Sequence, residues 1–406
     1  MAEWKRGWPL VLACFAGFSY FSLMTASLGV FITPLTREFG WSRTLASAGV
    51  TIASVWIALL SPFVGILIDR WGPRRLALPG LVAAGFTISA FALADGTPWQ
   101  WLALWTVYAV VSISVKTTVW TSAVVGAFER SQGLAIGAVL SGTAAAQIIT
   151  PPLATWLIAE YGWRLAYVSL GCGWGLVTFV LCHLFLRPSV IAHAADRTAA
   201  SLVPFGLTLL EAKRDQALRR VGICAFIIML FTIGLQIHQI PILVGAGVSQ
   251  TDAAWLASLA GGAALVGKFI SGLLLDRYRA NVVGGLTFGA TAIPFLLLLE
   301  GMQSPSLIVV AMLINGYAAG SKLQIASYLT SRYAGRRHFG VIYGVIISLV
   351  TIGSGFGPIV AGITFDKTSS YSPFLVAGAI GCVFCAFITA SLPRYPTWEG
   401  TSNSPQ

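Results

Sequence analysis

The sequence predicts an all-α integral membrane protein with twelve transmembrane helices in two pseudo-symmetric six-helix bundles. The first observation is composition: of 406 residues, 56% are hydrophobic and only 10% are charged, whereas soluble domains carry about 25% charged residues. The second is a series of apolar stretches of about 20 residues, long enough to cross the hydrocarbon core of a bilayer. The third is an internal repeat at a constant offset, which indicates two halves built alike.

The apolar stretches give twelve predicted spans, numbered here in chain order. Their bounds are 8–31, 44–68, 76–94, 99–127, 134–159, 163–186, 220–244, 253–275, 282–299, 307–331, 341–365 and 373–392. We therefore expect an N-terminal bundle (1–186), a polar linker (187–219) that is partly helical over 207–218, a C-terminal bundle (220–393) and a polar tail (394–406). Span 1 is too long for the apolar region of a signal peptide and belongs to the repeat, so we interpret it as a helix of the mature protein.

The repeat joins identical residues 207 positions apart in the two halves. The pairs include Thr25 and Thr232, Pro34 and Pro241, Gly40 and Gly247, Ser42 and Ser249, Gly137 and Gly344, and Pro151 and Pro358. A constant offset without drift indicates that no residue has been inserted or lost between the matched segments. Parallel repeats of this kind are typical of transporters made of two similar bundles.

The densest repeated segment is Gly-Ile-Leu-Ile-Asp-Arg-Trp-Gly-Pro-Arg-Arg at 65–75, with a fainter copy, Gly-Leu-Leu-Leu-Asp-Arg-Tyr-Arg, at 272–279. It resembles the loop between the second and third helices of the major facilitator superfamily, with Pro73 departing from the family pattern. The resemblance implies that this turn acts in the conformational change. The residues expected to take part are Gly65, Asp69, Arg70, Gly72, Arg74, Arg75, Asp276 and Arg277.

Basic residues are distributed unevenly between the two sides of the predicted membrane. With both termini placed in the cytoplasm, eighteen lysines and arginines fall in cytoplasmic segments and four in outer loops. The outer four are Arg37, Arg43, Arg164 and Lys367. Such a bias orients membrane proteins, so we expect a multi-pass protein of the cytoplasmic membrane with both termini and the linker inside. The net charge of +11 then reflects topology and contact with membrane lipid, and no nucleic acid partner is expected.

Three lysines, Lys116, Lys268 and Lys322, fall inside predicted spans 4, 8 and 10. A charge at the bilayer centre costs about 2.5–3.5 kcal/mol on insertion scales, so such residues normally face a cavity and function there. The alternative is a structural hydrogen bond or a side chain that reaches the interface. The acidic residues lie at helix ends or in loops. A cavity with lysines and no carboxylates attracts organic anions and repels organic cations.

Other polar residues inside predicted spans 1, 7 and 10 are candidates to complete a substrate site. They are Tyr20, His238, Gln239, Asn315 and Tyr317. Most polar residues in spans instead hold helices together. His238 could also carry a proton, because imidazole titrates near neutral pH. Because Tyr20, Trp120 and Tyr317 have aromatic side chains, aromatic carboxylates are included among the expected substrates.

No cofactor, metal or nucleotide site is indicated. Residues 262–268 resemble the motif of a phosphate-binding loop. However, Phe269 occupies the position where Ser or Thr is required, and no predicted strand precedes the segment. The six cysteines fall in apolar runs without metal-ligand spacing, and we interpret them as buried thiols.

Several segments also resemble the monocarboxylate porter and oxalate/formate antiporter branch of the superfamily. These segments are Gly-Val-Phe at 29–31, Phe-Gly-Trp-Ser-Arg at 39–43, Gly-Leu-Ala-Ile-Gly at 133–137, Pro-Pro at 151–152 and Gly-Trp-Arg at 162–164. The resemblance places Lys268 where the branch has a carboxylate-binding arginine, four residues before Gly272. Ala264 occupies the position of an aspartate implicated in proton coupling, and span 11 lacks the lysine of the oxalate/formate transporters.

The sequence therefore predicts a secondary transporter, not an enzyme, that moves a small mono- or dicarboxylate by alternating access. Coupling to protons or exchange is expected, and so is a monomer. One alternative is an efflux pump for drugs or peptides, which an acid in mid-membrane would have favoured. An alternative of another class is a membrane sensor or assembly partner without transport, which a soluble signalling domain would have favoured.

Overall fold

The computed structural model describes residues 2–125, 127–128, 132–186, 206–299, 304–335 and 339–396. These residues form α-helices joined by short turns and contain no named strand. The helices are α1 (Ala2–Phe39), α2 (Arg43–Ala90), α3 (Pro98–Ser112), α4 (Thr117–Val125), α5 (Gln132–Leu140), α6 (Gly142–Val168), α7 (Gly175–Phe185), α8 (Leu209–Arg214), α9 (Gln216–Gly245), α10 (Gln250–Arg277), α11 (Ala280–Leu297), α12 (Pro305–Ala334), α13 (Phe339–Thr368) and α14 (Ser372–Ala390). Most of the predicted linker and the end of the tail lie outside the described residues.

Eleven segments of the described chain are long and apolar enough to cross a membrane. One of them, Ala135–Phe185, has 51 residues and would extend about 76 Å as a single helix, more than twice the ~30 Å hydrocarbon core. It is interrupted at Gly162, where φ is 81° and ψ is 161°. It therefore holds two crossings, and the predicted all-α fold with twelve spans is confirmed.

Two glycines with nearly identical backbone angles make the tight turns between consecutive spans. Gly72 interrupts α2 with φ 77° and ψ 158°, and Gly162 interrupts α6 in the same way. This region of conformational space is essentially restricted to glycine. At Gly72 the following Pro73 reinforces the extended ψ, because a residue before proline is driven out of the helical region. The turn between spans 2 and 3 thus needs only a few residues.

The internal repeat is also visible in the backbone and in the helix caps. Gly40 and Gly247, 207 positions apart, both have positive φ, 67° and 86°. Ser42 and Ser249 follow them, and each hydroxyl accepts a hydrogen bond from the backbone N–H three residues later, as helix N-caps do. Ser369, the positive-φ non-glycine residue of the described chain (φ 55°), lies at the repeat position of Gly162.

Contacts group the chain into two compact units. Unit 1 contains residues 1–194 and 237–262, and unit 2 contains residues 195–236 and 263–406. The core of unit 1 is an aromatic cluster in which the Phe91 ring lies 5.2–5.4 Å from the rings of Trp101, Trp105 and Tyr167. The core of unit 2 includes a smaller aromatic group of Phe231, Phe295 and Phe374. The bundle and linker boundaries expected from the sequence stay a prediction.

The structure corrects two expectations. Span 4 is not one continuous helix, because residues 113–115 form a 3-10 turn and Lys116 is extended (φ −70°, ψ 163°). The thiols are not uniformly buried either, since Cys172 is exposed and lies 3.1 Å from Ser89 Oγ. The helical segment expected near the end of the linker is present as α8, which is fixed by a capping box between Thr208 and Glu211.

Candidate functional site

Small residues allow α10 and α12 to cross at backbone contact within unit 2. A Cβ atom at Gly267 would lie 2.6 Å from the carbonyl oxygen of Tyr317, and one at Gly320 would lie 2.1 Å from that of Ala264. The hydroxyl of Ser321 donates to the Gly267 carbonyl across the crossing, at 3.2 Å. Lys268 and Lys322 directly follow residues of this contact. The crossing therefore fixes the backbone positions of two of the three predicted site lysines.

Lys322 lies almost fully inside unit 2, with 5% of its surface exposed. Its Nζ atom donates to Thr232 Oγ1 of α9 at 2.5 Å, and that hydroxyl in turn donates to the Ile228 carbonyl at 2.6 Å. The threonine oxygen thus offers its lone pair to Lys322 Nζ while its proton is held by the helix backbone. Thr232 is a neutral acceptor, so this bond satisfies one donor of the buried amine without supplying a counter-charge.

Lys268 is half-buried on α10, between Gly267 at the crossing and the exposed Phe269. One turn further on, Ser271 donates to Gln324 Oε1 of α12 at 3.0 Å. The ammonium therefore projects from a helix whose backbone is held against α12 on both sides of the lysine. This geometry fixes the backbone position from which the Lys268 side chain extends.

The remaining site candidates of unit 2 lie on α12. Asn315 is buried, with 4% of its surface exposed, and the Tyr317 hydroxyl lies 3.2 Å from Thr287 Oγ1 of α11. The tyrosine thus links α12 to α11. Within unit 2, Asn315, Tyr317 and Lys322 lie along two turns of α12, and Lys268 lies on α10 at its crossing with α12. Their contact with substrate stays a prediction.

Lys116 lies in unit 1 at the break between α3 and α4. Its backbone carbonyl accepts from the Val119 N–H at 2.9 Å, so α4 begins at the next residue. The prediction that this lysine lies within a continuous helix is therefore wrong. The end of α4 inside the span carries the positive end of the helix dipole, and Lys116 adds a charge at the same point.

Side chains from other parts of unit 1 stabilise this break. The indole N–H of Trp120 donates to the Val115 carbonyl at 2.7 Å, which the break has released from helical pairing. The Trp120 ring packs against Gly17, where a Cβ would approach it to 2.4 Å. A Cβ at Gly80 would lie 2.1 Å from Ser114 Oγ. The sequence suggests Trp120 as a contact for an aromatic substrate, and the structure gives it this packing role.

The other candidates of unit 1 are buried. The Tyr20 hydroxyl donates to the Gly171 carbonyl at 2.9 Å, where residues 169–174 form a π-helical turn. His238 is fully buried and Gln239 is 9% exposed, both on α9 just before Pro241. No described residue donates to Gln239 Oε1. The role of these residues in substrate or proton binding stays a prediction.

The repeated turn at 65–75 makes a defined contact within unit 1. The guanidinium group of Arg74 donates to the carbonyls of Leu186 at 2.7 Å and His183 at 3.0 Å. These are the free carbonyls at the C-terminal end of α7, which a cation satisfies well. Arg70 and Arg75 are exposed, as are Asp276 and Arg277 in the second copy. The surroundings of Gly65 and of the Asp69 side chain lie outside the described part.

The acidic residues of the described helices lie close to helix ends or turns. Asp252 is in the first turn of α10 and Asp276 in its last. Glu38 ends α1 and pairs with Arg164 at 2.6 Å, and it accepts the indole N–H of Trp163 at 2.5 Å. Glu160 and Asp366 precede Gly162 and the end of α13 by two residues. The lysines inside the spans are thus separated along the chain from the carboxylates.

Sequence reasoning missed the side chains that support the lysines. Thr232 is the clearest case, because it lies 90 positions from Lys322 and is marked in the sequence only as the repeat partner of Thr25. Gln324, Ser271 and Trp120 were likewise not assigned to these contacts. The signal for Gln324 and Ser271 is that they are polar residues on spans that carry a lysine, and Trp120 is marked in the sequence only by its aromatic ring.

Sequence comparisons place this chain among transporters. The profile of the Major Facilitator Superfamily matches residues 12–246 and 223–405. The chain is 24% identical to monocarboxylate transporter 13 of Bos taurus, over 98% of this chain and 92% of that protein. It is 26% identical to monocarboxylate transporter 11 of Mus musculus, over 96% of this chain and 88% of that protein.

Structural comparisons agree on the fold. A bacterial homologue of the human lysosomal transporter Spinster, in an inward-facing and unoccupied conformation, superimposes with a TM-score of 0.70 at 18% identity, covering 96% of both chains. A variant of the nucleoside transporter NupG superimposes with a TM-score of 0.72 at 15% identity, covering 94% of this chain and 99% of that one. The chain is a multi-pass membrane protein and belongs to the Major Facilitator Superfamily of transporters.

Proposed function

We propose that this protein is a secondary transporter that moves a small organic anion, a mono- or dicarboxylate, across the cytoplasmic membrane by alternating access. The single observation that carries the proposal is the charge pattern. Three lysines lie in the interior of the spans, whereas the described acids lie at helix ends and turns. A carboxylate is the natural counter-ion for such an ammonium in a partly dehydrated site.

The relatives support the same class of substrate, because two of them are named monocarboxylate transporters. Lys268 is the residue we assign to the substrate carboxylate. It is held by the α10–α12 crossing and is half-buried, so it is more accessible than Lys322, of which 5% is exposed. Lysine offers a point charge in place of a bidentate guanidinium, so recognition depends on charge more than on the plane of the carboxylate. We further propose that transport is coupled either to protons that move with the substrate or to the exchange of one anion for another.

A test compares carboxylates with amides of the same shape. Purified protein is titrated with lactate, oxalate and benzoate, and in parallel with lactamide, oxamide and benzamide, and proteoliposome uptake is measured for any compound that binds. We expect binding and uptake only among the acids. Uptake of the amides, with no uptake of any acid, would refute the anion site.

Lys268→Gln is then expected to weaken binding of the best acid by roughly ten- to a hundredfold, since a charge-assisted hydrogen bond is worth about 1.5–3 kcal/mol. Lys268→Arg should keep part of the affinity, because it keeps the charge but changes the geometry. Lys367→Gln, which removes an exposed cation from the last turn of α13, is the control for net charge. Unaltered affinity in a normally folded Lys268→Gln protein would move the site to another lysine.

A further inference from the structure

Unit 2 contains an apolar groove that the transport site does not explain. It has a volume of about 670 Å³ and lies between the first half of α9 and the first half of α13. Its walls are formed by aliphatic and aromatic side chains, including Ile223, Phe226, Val345 and Leu349. The groove lies next to a buried cluster that includes Met229, Ile346 and Val350.

The shape of the groove follows from where the two helices touch. A Cβ at Gly353 would lie 2.5 Å from the Phe226 carbonyl oxygen, and one at Gly357 would lie 2.1 Å from that of Leu230. These glycines bring α9 and α13 into backbone contact at one level. Toward the starts of both helices only side-chain tips approach the facing helix, since a Cβ at Gly222 would lie 3.0 Å from Leu349 Cδ1, and the helices leave a gap between them. Short helix α8 contributes Ala212 and Lys213 to the other end of this gap.

The polar end of the groove carries cations. Lys213 and Arg219 both line it and are exposed, and the described lining contains no acidic residue. The two acids nearest in sequence are engaged in helix caps. Glu211 accepts from the Thr208 N–H at 2.7 Å, and Asp215 accepts from the Leu218 N–H at 2.8 Å. An apolar channel with a positive mouth complements the charge and polarity pattern of an anionic amphiphile.

We propose that this groove is a binding site for an anionic phospholipid, with an acyl chain between α9 and α13 and its phosphate at Lys213 and Arg219. The acyl chain comes from an equally apolar bilayer, so the groove holds it by van der Waals packing, and basic residues near a membrane surface add electrostatic attraction for the anionic headgroup. Lys213 near the end of α8 and Arg219 near the start of α9 both belong to the last part of the predicted linker (187–219), so an occupied groove would anchor this end of the linker to the lipid headgroups.

The test uses delipidated full-length protein and native mass spectrometry, with phosphatidylglycerol and phosphatidylcholine as probes. We expect the first bound equivalent of phosphatidylglycerol to bind at least tenfold more tightly than phosphatidylcholine. Lys213→Gln combined with Arg219→Gln should weaken phosphatidylglycerol about thirtyfold and abolish this preference. Arg279→Gln combined with Lys367→Gln, which removes two exposed cations elsewhere, should leave it intact.

A second pair of variants tests the apolar part of the site without changing charge. Val345→Trp places a bulky ring in the groove and should displace the acyl chain, whereas Val341→Trp changes a more exposed neighbour outside the lining. Glycerol 3-phosphate, which has the phosphate but no chain, should not compete. The proposal fails if the double cation variant binds phosphatidylglycerol as the parent does, or if glycerol 3-phosphate binds as tightly as the lipid, since the groove would then take small anions.

Discussion

The burial and the contacts of Lys322 and Lys268 distinguish a lysine with a structural role from a lysine that can bind a substrate. Lys322 and Lys268 lie on facing helices near the same crossing, but Lys322 is almost fully buried and donates to Thr232, whereas Lys268 is half-buried. A buried ammonium that loses its acceptor pays a full desolvation cost. Lys322 therefore has a measurable structural role, and the more accessible Lys268 is the better candidate for a ligand that comes and goes.

This difference predicts that Thr232→Val destabilises the protein through Lys322. The substitution removes the acceptor and should cost about 1–3 kcal/mol, seen as a lower Tm of purified protein. Thr364→Val is the matched control, because Thr364 makes the same type of bond to its own helix, to Val360. Lys322→Met removes the charge, so in that background Thr232→Val should be nearly neutral. Equal loss of Tm with and without Lys322 would contradict the coupling.

At the scale of an element, glycines decide where helices of this protein touch and where they part. α10 shows both situations along one helix, since Gly267 lies against the Tyr317 backbone whereas Gly262 has open space around its Cβ position. Close approach is what allows Ser321 to donate to the Gly267 carbonyl and what fixes the backbone at Lys268. In α13, Gly353 and Gly357 allow the same close approach to the backbone of α9. This contact closes one end of the apolar groove between α9 and α13.

We predict that Gly267→Ala lowers the stability of the folded protein, whereas Gly262→Ala raises it. At Gly267 the added methyl group would meet the Tyr317 carbonyl oxygen at 2.6 Å, so the helices must separate, and the overpacking should cost about 1–3 kcal/mol. At Gly262 alanine favours the helix by up to about 1 kcal/mol. Thermal unfolding of both variants, with carboxylate affinity as a second readout, separates these outcomes. Similar Tm values for the two proteins would show that the crossing tolerates a wider spacing.

At the scale of the whole molecule, sequence reasoning predicted the fold class but not how the lysines are held. The spans, the turn at Gly72 and the caps at Ser42 and Ser249 follow from local signals: apolar length, glycine before proline, and a hydroxyl at a helix start. The break at Lys116 has no such signal, because neither glycine nor proline lies between residues 112 and 117. It depends on Trp120 and on contacts with the distant Gly17 and Gly80, which a one-dimensional pattern does not reveal.

The orientation of the whole molecule in the membrane is predicted from the eighteen-to-four distribution of basic residues. In a cysteine-free background, single cysteines are introduced by Thr97→Cys in the turn before α3, Ser201→Cys in the linker and Ser402→Cys in the tail. We expect a membrane-impermeant maleimide to label the first in intact cells and the other two only after permeabilisation, because the predicted spans place one turn outside and both other segments inside. Labelling of all three after permeabilisation controls for accessibility. Reaction of the linker or tail cysteine in intact cells, with protection of the cysteine at position 97, would reverse the orientation and place the cationic mouth of the lipid groove in the outer leaflet.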